Sequence, residues 1–135
     1  MATLDLEKVC FEKIKTSIKE VYKYYSNYKD YKLFTYYHYI GNKEVGVVYG
    51  WFKENYLNID IVYVKEEYRK QKIALDMLKR VISKIKDKGN IDYIVIELIK
   101  YNGKYLLFND LISLDFTLHL EYMITYNKCI FYKYL

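Results

Sequence analysis

Proline is missing from this sequence altogether, and cysteine, histidine and glycine are scarce. The two cysteines (Cys10, Cys129) and the two histidines (His38, His119) lie far apart, whereas a zinc site needs ligands at close spacing. We therefore expect no metal site. We expect buried, reduced thiols, as is typical of an intracellular protein, with a disulfide as the alternative.

Long apolar runs and a targeting segment are also missing. No stretch of eighteen apolar residues is present to cross a membrane. Asp5 and Glu7 come too early for a secretory signal. We expect a cytoplasmic protein (in the host cytoplasm if the source is viral) that makes no membrane contact. Because 53% of the 135 residues are apolar, residues 1–135 can form a single domain with its own core.

Positive charge is present in excess, and it is concentrated in one segment. Residues 65–88 hold nine basic and four acidic side chains, a net charge of +5 that equals the net charge of the whole chain. Such a patch favours a polyanionic partner, which could be a phosphorylated cofactor, a nucleic acid or a membrane surface. The alternative is a solvated helix face.

The hydrophobic periodicity predicts helices separated by strands. Helical spacing covers 5–25 and 71–86, and a short helix is expected over 104–114. Strand-like segments are 31–40, 44–53, 57–64, 91–99, 117–126 and 129–135. Since 57–64 and 91–99 flank a helix, we expect them to be parallel neighbours. Gly46 and Gly50 indicate bulges or close approach of two backbones.

The segment 62–75 (VYVKEEYRKQKIAL) resembles the strand and signature Q/R-x-x-G-x-G/A of the GNAT N-acetyltransferases. Arg69 and Ala74 fit the first and last signature positions, and Lys72 replaces the middle glycine. A divergent member of that family is implied. The resemblance implies an α/β (α+β) fold. Its mixed, mostly antiparallel central sheet of about six strands would contain a central parallel pair and be flanked by three to four helices.

Physical chemistry supports an anion site at the same turn. A sharp turn from a strand into a helix presents several unpaired N–H groups and partial positive charge. The resemblance implies that acetyl-CoA, as co-substrate, places its pyrophosphate there. The cofactor-binding candidates are Val62, Tyr63, Val64, Arg69, Lys70, Gln71, Lys72, Ile73, Ala74 and Asn102. The side chain of Lys72 would either crowd the phosphates or contribute its charge to them.

Two carboxylates are candidates for the catalytic base that the implied acetyl transfer to an amine requires. Asp60 lies in the strand that would hold the thioester. Glu97, the second candidate, lies in an apolar strand, where burial would raise its pKa. The tyrosine with which the family protonates the departing thiolate is replaced by Leu111, and Tyr105 fits only with a shifted alignment.

Three hypotheses follow for the function. The first is an acyl-CoA-dependent N-acyltransferase that acetylates an amine of a small molecule or a protein. The second is a catalytically inactive GNAT-like domain that binds CoA, a protein partner or itself, with the aromatic last strands pairing across a homodimer. The third, less favoured, is a nucleic-acid-binding module with a tyrosine stacking platform. The platform would consist of Tyr36, Tyr37, Tyr39, Tyr49 and Tyr56.

Overall fold

The computed structural model describes residues 10–25, 32–101 and 103–135. The helices of this part are α1 (Phe11–Tyr25), α2 (Ile73–Lys88), α3 (Phe108–Ser113) and α4 (Leu120–Tyr126). The strands are β1 (Lys32–Ile40), β2 (Lys43–Lys53), β3 (Tyr56–Val64), β4 (Tyr93–Leu98), β5 (Lys100–Tyr101), β6 (Lys104–Tyr105), β7 (Thr117–Leu118) and β8 (Cys129–Tyr134).

Six of these strands form one sheet in the order β1-β2-β3-β4-β8-β7. Every neighbouring pair is antiparallel except β3 and β4, which are parallel and joined through α2. The predicted crossover and the predicted mixed sheet with a central parallel pair are therefore confirmed. The remaining strands, β5 and β6, form a separate two-stranded hairpin.

Helices pack on both faces of the sheet, so that the core has two parts. On one face, α2 buries an apolar stripe that includes Met77, Leu78 and Val81, each 0% exposed. The stripe follows the three- and four-residue spacing that predicted the helix. The helix ends at Gly89, whose φ of 76° is left-handed and whose N–H bonds to the carbonyl oxygen of Lys86. On the other face, α1 covers a smaller apolar cluster.

Glycine is required where β2 passes close to β3. A Cβ on Gly50 would lie 2.1 Å from the backbone oxygen of Asn58. The register shifts at this point, because Tyr49 pairs with Ile61 and Gly50 pairs with Ile59, which leaves Asp60 as the extra residue of a bulge. A Cβ on Gly46 would likewise lie 2.8 Å from the backbone oxygen of Tyr63 on β3. The predicted close approach at both glycines is confirmed.

The prediction of a strand over 117–126 is wrong, since only Thr117–Leu118 pairs with β8 and the helix α4 follows. The apolar residues alternate along this segment, as in a strand, but His119 begins a helix. Its Nδ1 accepts a hydrogen bond from the backbone N–H of Tyr122 at 3.4 Å. The helix predicted over 104–114 is also shorter than expected, because Lys104–Tyr105 belongs to the β5–β6 hairpin.

None of the helices in the described part of the chain is long and apolar enough to span a membrane. Both cysteines are free thiols. Cys129 is buried as expected, but Cys10 is exposed, because it lies just before α1 rather than on its apolar face.

Candidate functional site

The turn between β3 and α2 contains two lysines in the left-handed conformation. Lys70 has φ of 66°, and Lys72, the N-cap of α2, has φ of 60° and ψ of 24°. Each such residue other than glycine costs about 1–2 kcal/mol. Lys72 is the position where the resemblance expects glycine, so the backbone takes the conformation that glycine favours although the side chain is a lysine.

The N-terminus of α2 presents hydrogen-bond donors. The first four N–H groups of a helix have no acceptor within it, and here they belong to Lys72, Ile73, Ala74 and Leu75. The side chain of Lys72, the N-cap residue, does not cap them. The first bond of the helix runs from the N–H of Asp76 to the carbonyl oxygen of Lys72, at 3.2 Å. Together with the positive end of the helix dipole, these donors form an anion-binding arrangement.

Among the described residues, a cleft of about 260 Å³ lies beside these donors. It is lined by Val64, Tyr68, Arg69, Lys70, Lys72, Ile73, Ala74 and Asp110. Six of these eight residues are among the cofactor-binding candidates of the sequence. Asp110, on α3, adds a carboxylate that the sequence did not indicate and that opposes the positive charge of the two lysines.

Arg69 lines the cleft and also stabilises the turn between β3 and α2. Its Nε donates a hydrogen bond of 2.8 Å to the carbonyl oxygen of Val64, and its guanidinium lies 5.3 Å from the centre of the Tyr63 ring. Arg69 thereby ties the start of the turn back to β3. The two left-handed lysines, which are exposed, are the cations with more freedom to meet a ligand.

The parallel strands separate beyond the middle of the sheet. Pairing of β3 with β4 ends at Ile59 and Ile96, although β3 continues to Val64 and β4 to Leu98. The N–H of Lys65 bonds to Val45 on β2. Since successive residues of a strand point their backbone groups to opposite sides, those of Val62 and Val64 face the gap. An extended ligand can add to this free strand edge in the manner of another strand.

Both candidate bases lie where the strands separate. Asp60 occupies the bulge and is partly buried, and Nδ2 of Asn58 donates a hydrogen bond of 2.9 Å to its Oδ1. Burial raises the pKa of Asp60 above its usual 3.8, while hydrogen bonds from Asn58 and Trp51 act against that rise and the nearby charge of Glu97 adds to it. The sequence did not indicate either partner: Trp51 lies on β2, which only the fold brings beside the bulge, and Asn58, two residues away on β3, lies on the same face as Asp60 at the bulge.

Glu97 immediately follows the last parallel pair, on β4. Its side chain is exposed, so the expectation that it is buried in an apolar strand is wrong. The side chains of β4 alternate, and Glu97 lies on the face opposite the buried Ile96 and Leu98.

The structure offers no tyrosine at the position of Leu111. That leucine is 0% exposed and belongs to the core, where α3 packs on the sheet. Tyr105 lies in the β5–β6 hairpin. The centre of its ring is 6.4 Å from that of Phe108 and 5.4 Å from Nζ of Lys100. Asn102 lies outside the described residues.

The tyrosines proposed as a nucleic-acid platform do not share a surface. Tyr36 packs against the core beneath α2, whereas Tyr37 packs against the cluster beneath α1, on the opposite face. Tyr49 is only 4% exposed. The stacking platform expected from the sequence is therefore wrong.

Comparison with known proteins addresses the family. The sequence profile of the Acetyltransferase (GNAT) family matches residues 2–104, which is more than half of the chain. The chain belongs to the GNAT acetyltransferase family. A search of curated proteins finds no match.

Solved structures show the same fold at low sequence identity. The PaiA N-acetyltransferase of Thermoplasma acidophilum, in complex with coenzyme A, is 18% identical with a TM-score of 0.64 and covers 95% of this chain and 81% of its own. An acetyltransferase of Bacillus subtilis, in complex with CoA, is 16% identical with a TM-score of 0.62 and covers 87% and 84%. An IAA acetyltransferase of Bacillus cereus is 13% identical with a TM-score of 0.66 and covers 94% and 96%.

Proposed function

We propose that this GNAT protein is an acetyl-CoA-dependent N-acetyltransferase, active as a single unit over residues 1–135, that transfers the acetyl group directly to an amine. The observation that carries the proposal is the open, uncapped N-terminus of α2 beside the gap between β3 and β4. A helix N-terminus of this kind suits a phosphate group, and a free strand edge suits an extended arm. Acetyl-CoA has a pyrophosphate and an extended pantetheine arm. The CoA complexes of the two similar proteins agree with this assignment.

The turn between β3 and α2 and the free edge of β3 would bind acetyl-CoA. The N–H groups at the start of α2 would donate to the pyrophosphate, and the ammonium groups of Lys70 and Lys72 would add charge around it. The backbone of Val62 would pair with the pantetheine arm and direct an N–H towards the thioester oxygen, where negative charge develops. The carbonyl of Val64 already accepts the bond from Arg69.

Asp60 would accept the proton of the incoming amine. An alkyl amine has a pKa near 10.4 and arrives as an ammonium ion, so it must lose a proton before it attacks. A carboxylate with a raised pKa is better matched to this task than an ordinary aspartate. Acetyl-CoA supplies the activated acyl group. Since an ordinary thiol has a pKa near 8.5, its thiolate is a good enough leaving group to depart without a tyrosine.

The buried Leu111 favours a second candidate, a GNAT domain that binds CoA without catalysing transfer. Release of CoA from acetyl-CoA, measured with a panel of small amines and a lysine peptide, distinguishes the two. The transferase is supported if calorimetry shows that acetyl-CoA binds and if CoA is released only in the presence of an amine. Binding without release supports the silent domain, and absence of binding contradicts both.

Two further expectations from the sequence stay predictions. Self-association through the last strands is tested by light scattering on the purified protein. Residence in the cytoplasm (of the host, if the source is viral) is tested by imaging a tagged chain.

A further inference from the structure

Most of the positive charge of α2 lies beyond the turn that is proposed to bind the pyrophosphate. After the first turn of the helix, its exposed positions carry five cations and two carboxylates, a net charge of +3. The cations are Lys79, Arg80, Lys84, Lys86 and Lys88, and the carboxylates are Asp76 and Asp87. A pyrophosphate at the start of the helix does not account for this charge.

Three of these cations form a row on the side of α2 that faces β1 and β2. Arg80, Lys84 and Lys88 recur at four-residue steps, so they lie close to one line of the helix at intervals of about 6 Å. Nζ of Lys84 lies 5.5 Å from the ring centre of Tyr36 on β1, and Nζ of Lys88 lies 4.4 Å from that of Phe52 on β2. Contact with these rings holds the two ammonium groups in place. We call Arg80, Lys84 and Lys88 the basic ridge.

The basic ridge is not neutralised within the described part of the protein. None of its three side chains makes an ion pair with a described residue. Asp76, one turn before Arg80, is the nearest carboxylate along the helix. Like charges four residues apart repel one another, and this repulsion destabilises a helix. A row of like charges that opposes folding in this way indicates an anionic partner.

The chemistry of the ridge favours a phosphate backbone as that partner. The helix exposes no large apolar side chain, whereas a helix that lies on a membrane inserts an apolar face into it. The row is one side chain wide and about 12 Å long, and its charges recur at regular steps, as do the phosphates of one nucleic-acid strand. It also lies apart from the pyrophosphate turn, since Lys84 follows Lys72 by about 18 Å along the helix axis.

We propose that the basic ridge binds a single-stranded nucleic acid through its phosphodiester backbone. Each ridge cation pairs with a phosphate and releases the counterions bound there, and Lys79 and Lys86 add charge from the neighbouring line of the helix. Such contacts need no base stacking, so they do not require the tyrosine platform. The ridge gives this protein a second ligand class beside acetyl-CoA, and the proposal does not depend on acetyl transfer.

The salt dependence of binding tests the proposal. We would titrate the protein into a short labelled oligouridylate, and into the oligothymidylate of equal length, and follow fluorescence anisotropy. Since each neutralised phosphate of a single strand contributes about 0.7 to the slope of log K against log salt, three to five contacts predict a slope of about −2 to −3.5. The two oligonucleotides should bind alike. Absence of binding at low salt, or a slope shallower than about −2, would overturn the proposal.

The double variant Lys84→Gln, Lys88→Gln tests the position of the site. Removal of two contacts should make the slope shallower by about 1.4 and leave the affinity for acetyl-CoA unchanged. The matched control is Lys13→Gln, Lys19→Gln, which removes the same charge from exposed positions of α1 and should keep the wild-type slope. Thermal melts check that both variants are folded. Equal weakening by the two double variants would contradict the proposal, because net charge rather than the ridge would then drive binding.

Competition experiments distinguish the ridge from other sites and other partners. Saturating CoA should leave oligonucleotide binding intact, and its loss would place the oligonucleotide at the pyrophosphate turn and overturn the proposal. Polyglutamate of equal charge should compete more weakly than unlabelled oligouridylate. Equal competition by polyglutamate, or tighter binding to phosphatidylserine vesicles, would overturn the proposal in favour of an acidic protein or a membrane surface. None of these outcomes bears on the acetyltransferase function, which is tested by CoA release.

Discussion

Replacement of Lys72 by glycine and by alanine separates charge from backbone strain at the start of α2. Both variants remove the ammonium group, and only glycine removes the Cβ. Since Lys72 has φ of 60°, alanine keeps the strain of about 1–2 kcal/mol, whereas glycine relieves it at the expense of about 0.5–1 kcal/mol in chain entropy. The glycine variant should therefore be more stable than the alanine variant by about 0.5–1 kcal/mol.

The affinity for acetyl-CoA should follow the charge. An exposed ion pair contributes about 0.5–1 kcal/mol, so both variants should bind acetyl-CoA about two- to fivefold more weakly at low salt and no differently from wild type at high salt. Calorimetry at two salt concentrations measures the affinities, and thermal melts should show the glycine variant about 2–5 °C above the alanine variant. Lys86→Ala, at the other end of α2, is the control for net charge.

One result would refute this reasoning. If Lys72→Gly binds acetyl-CoA more tightly than wild type, and does so at both salt concentrations, then the lysine crowds the phosphates. Its charge would then contribute nothing to binding.

Three further predictions concern the bulge, the glycines and the buried leucine. Asp60→Asn should lower kcat about a hundredfold. It should also remove from the pH profile of kcat an ionisation whose pKa lies above the usual 3.8 of aspartate. A pH profile unchanged by the variant would exclude Asp60 as the base. Gly50→Ala should lower the free energy of unfolding in urea by about 3 kcal/mol or more, because its Cβ would lie 2.1 Å from a backbone oxygen. Gly41→Ala, in open space at φ of 61°, should lower it by about 1 kcal/mol. Equal losses for the two variants would contradict the close approach at Gly50. Leu111→Tyr should destabilise the fold by about 1–3 kcal/mol without increasing acetyl transfer, and an active, stable variant would show that the site can accept a tyrosine there.

The pH dependence of stability has a definite sign at Asp60. Because burial raises the pKa of the folded carboxyl, the folded state favours the protonated form. The contribution of this group to the free energy of unfolding should therefore fall as the pH rises from the unfolded value through the folded one. Asp60→Asn should flatten that part of the stability curve, measured by urea unfolding at several pH values.

Much of the fold could be predicted from the sequence because its signals are local. The apolar stripe of α2 and the near-continuous apolar run of β4 indicate a helix and a buried strand, and their order fixes the parallel pair. The turn at Lys70 and Lys72 was predicted through the signature and its charge. Its left-handed conformation was not, since lysine has no preference for positive φ.

The rest depends on partners that are distant in sequence. The apolar residues of the α4 segment alternate as in a strand. The segment is nevertheless helical, because β7 pairs with β8 over only two residues and the side chain of His119 then caps the helix. The bulge that places Asp60 beside Trp51 and Asn58 arises from the register between β2 and β3. The exposure of Glu97 follows from which face of β4 meets α2, and an apolar run alone does not tell the faces apart.

The central claim is that a pyrophosphate binds at the main-chain N–H groups that begin α2. A titration of ¹⁵N-labelled protein with acetyl-CoA, followed by amide NMR, tests this most directly. We predict that the largest shifts fall on the amides of Lys72, Ile73 and Ala74, together with Val62 on the free edge of β3. Saturable binding that leaves these four amides unmoved, or no binding at all, would contradict the claim.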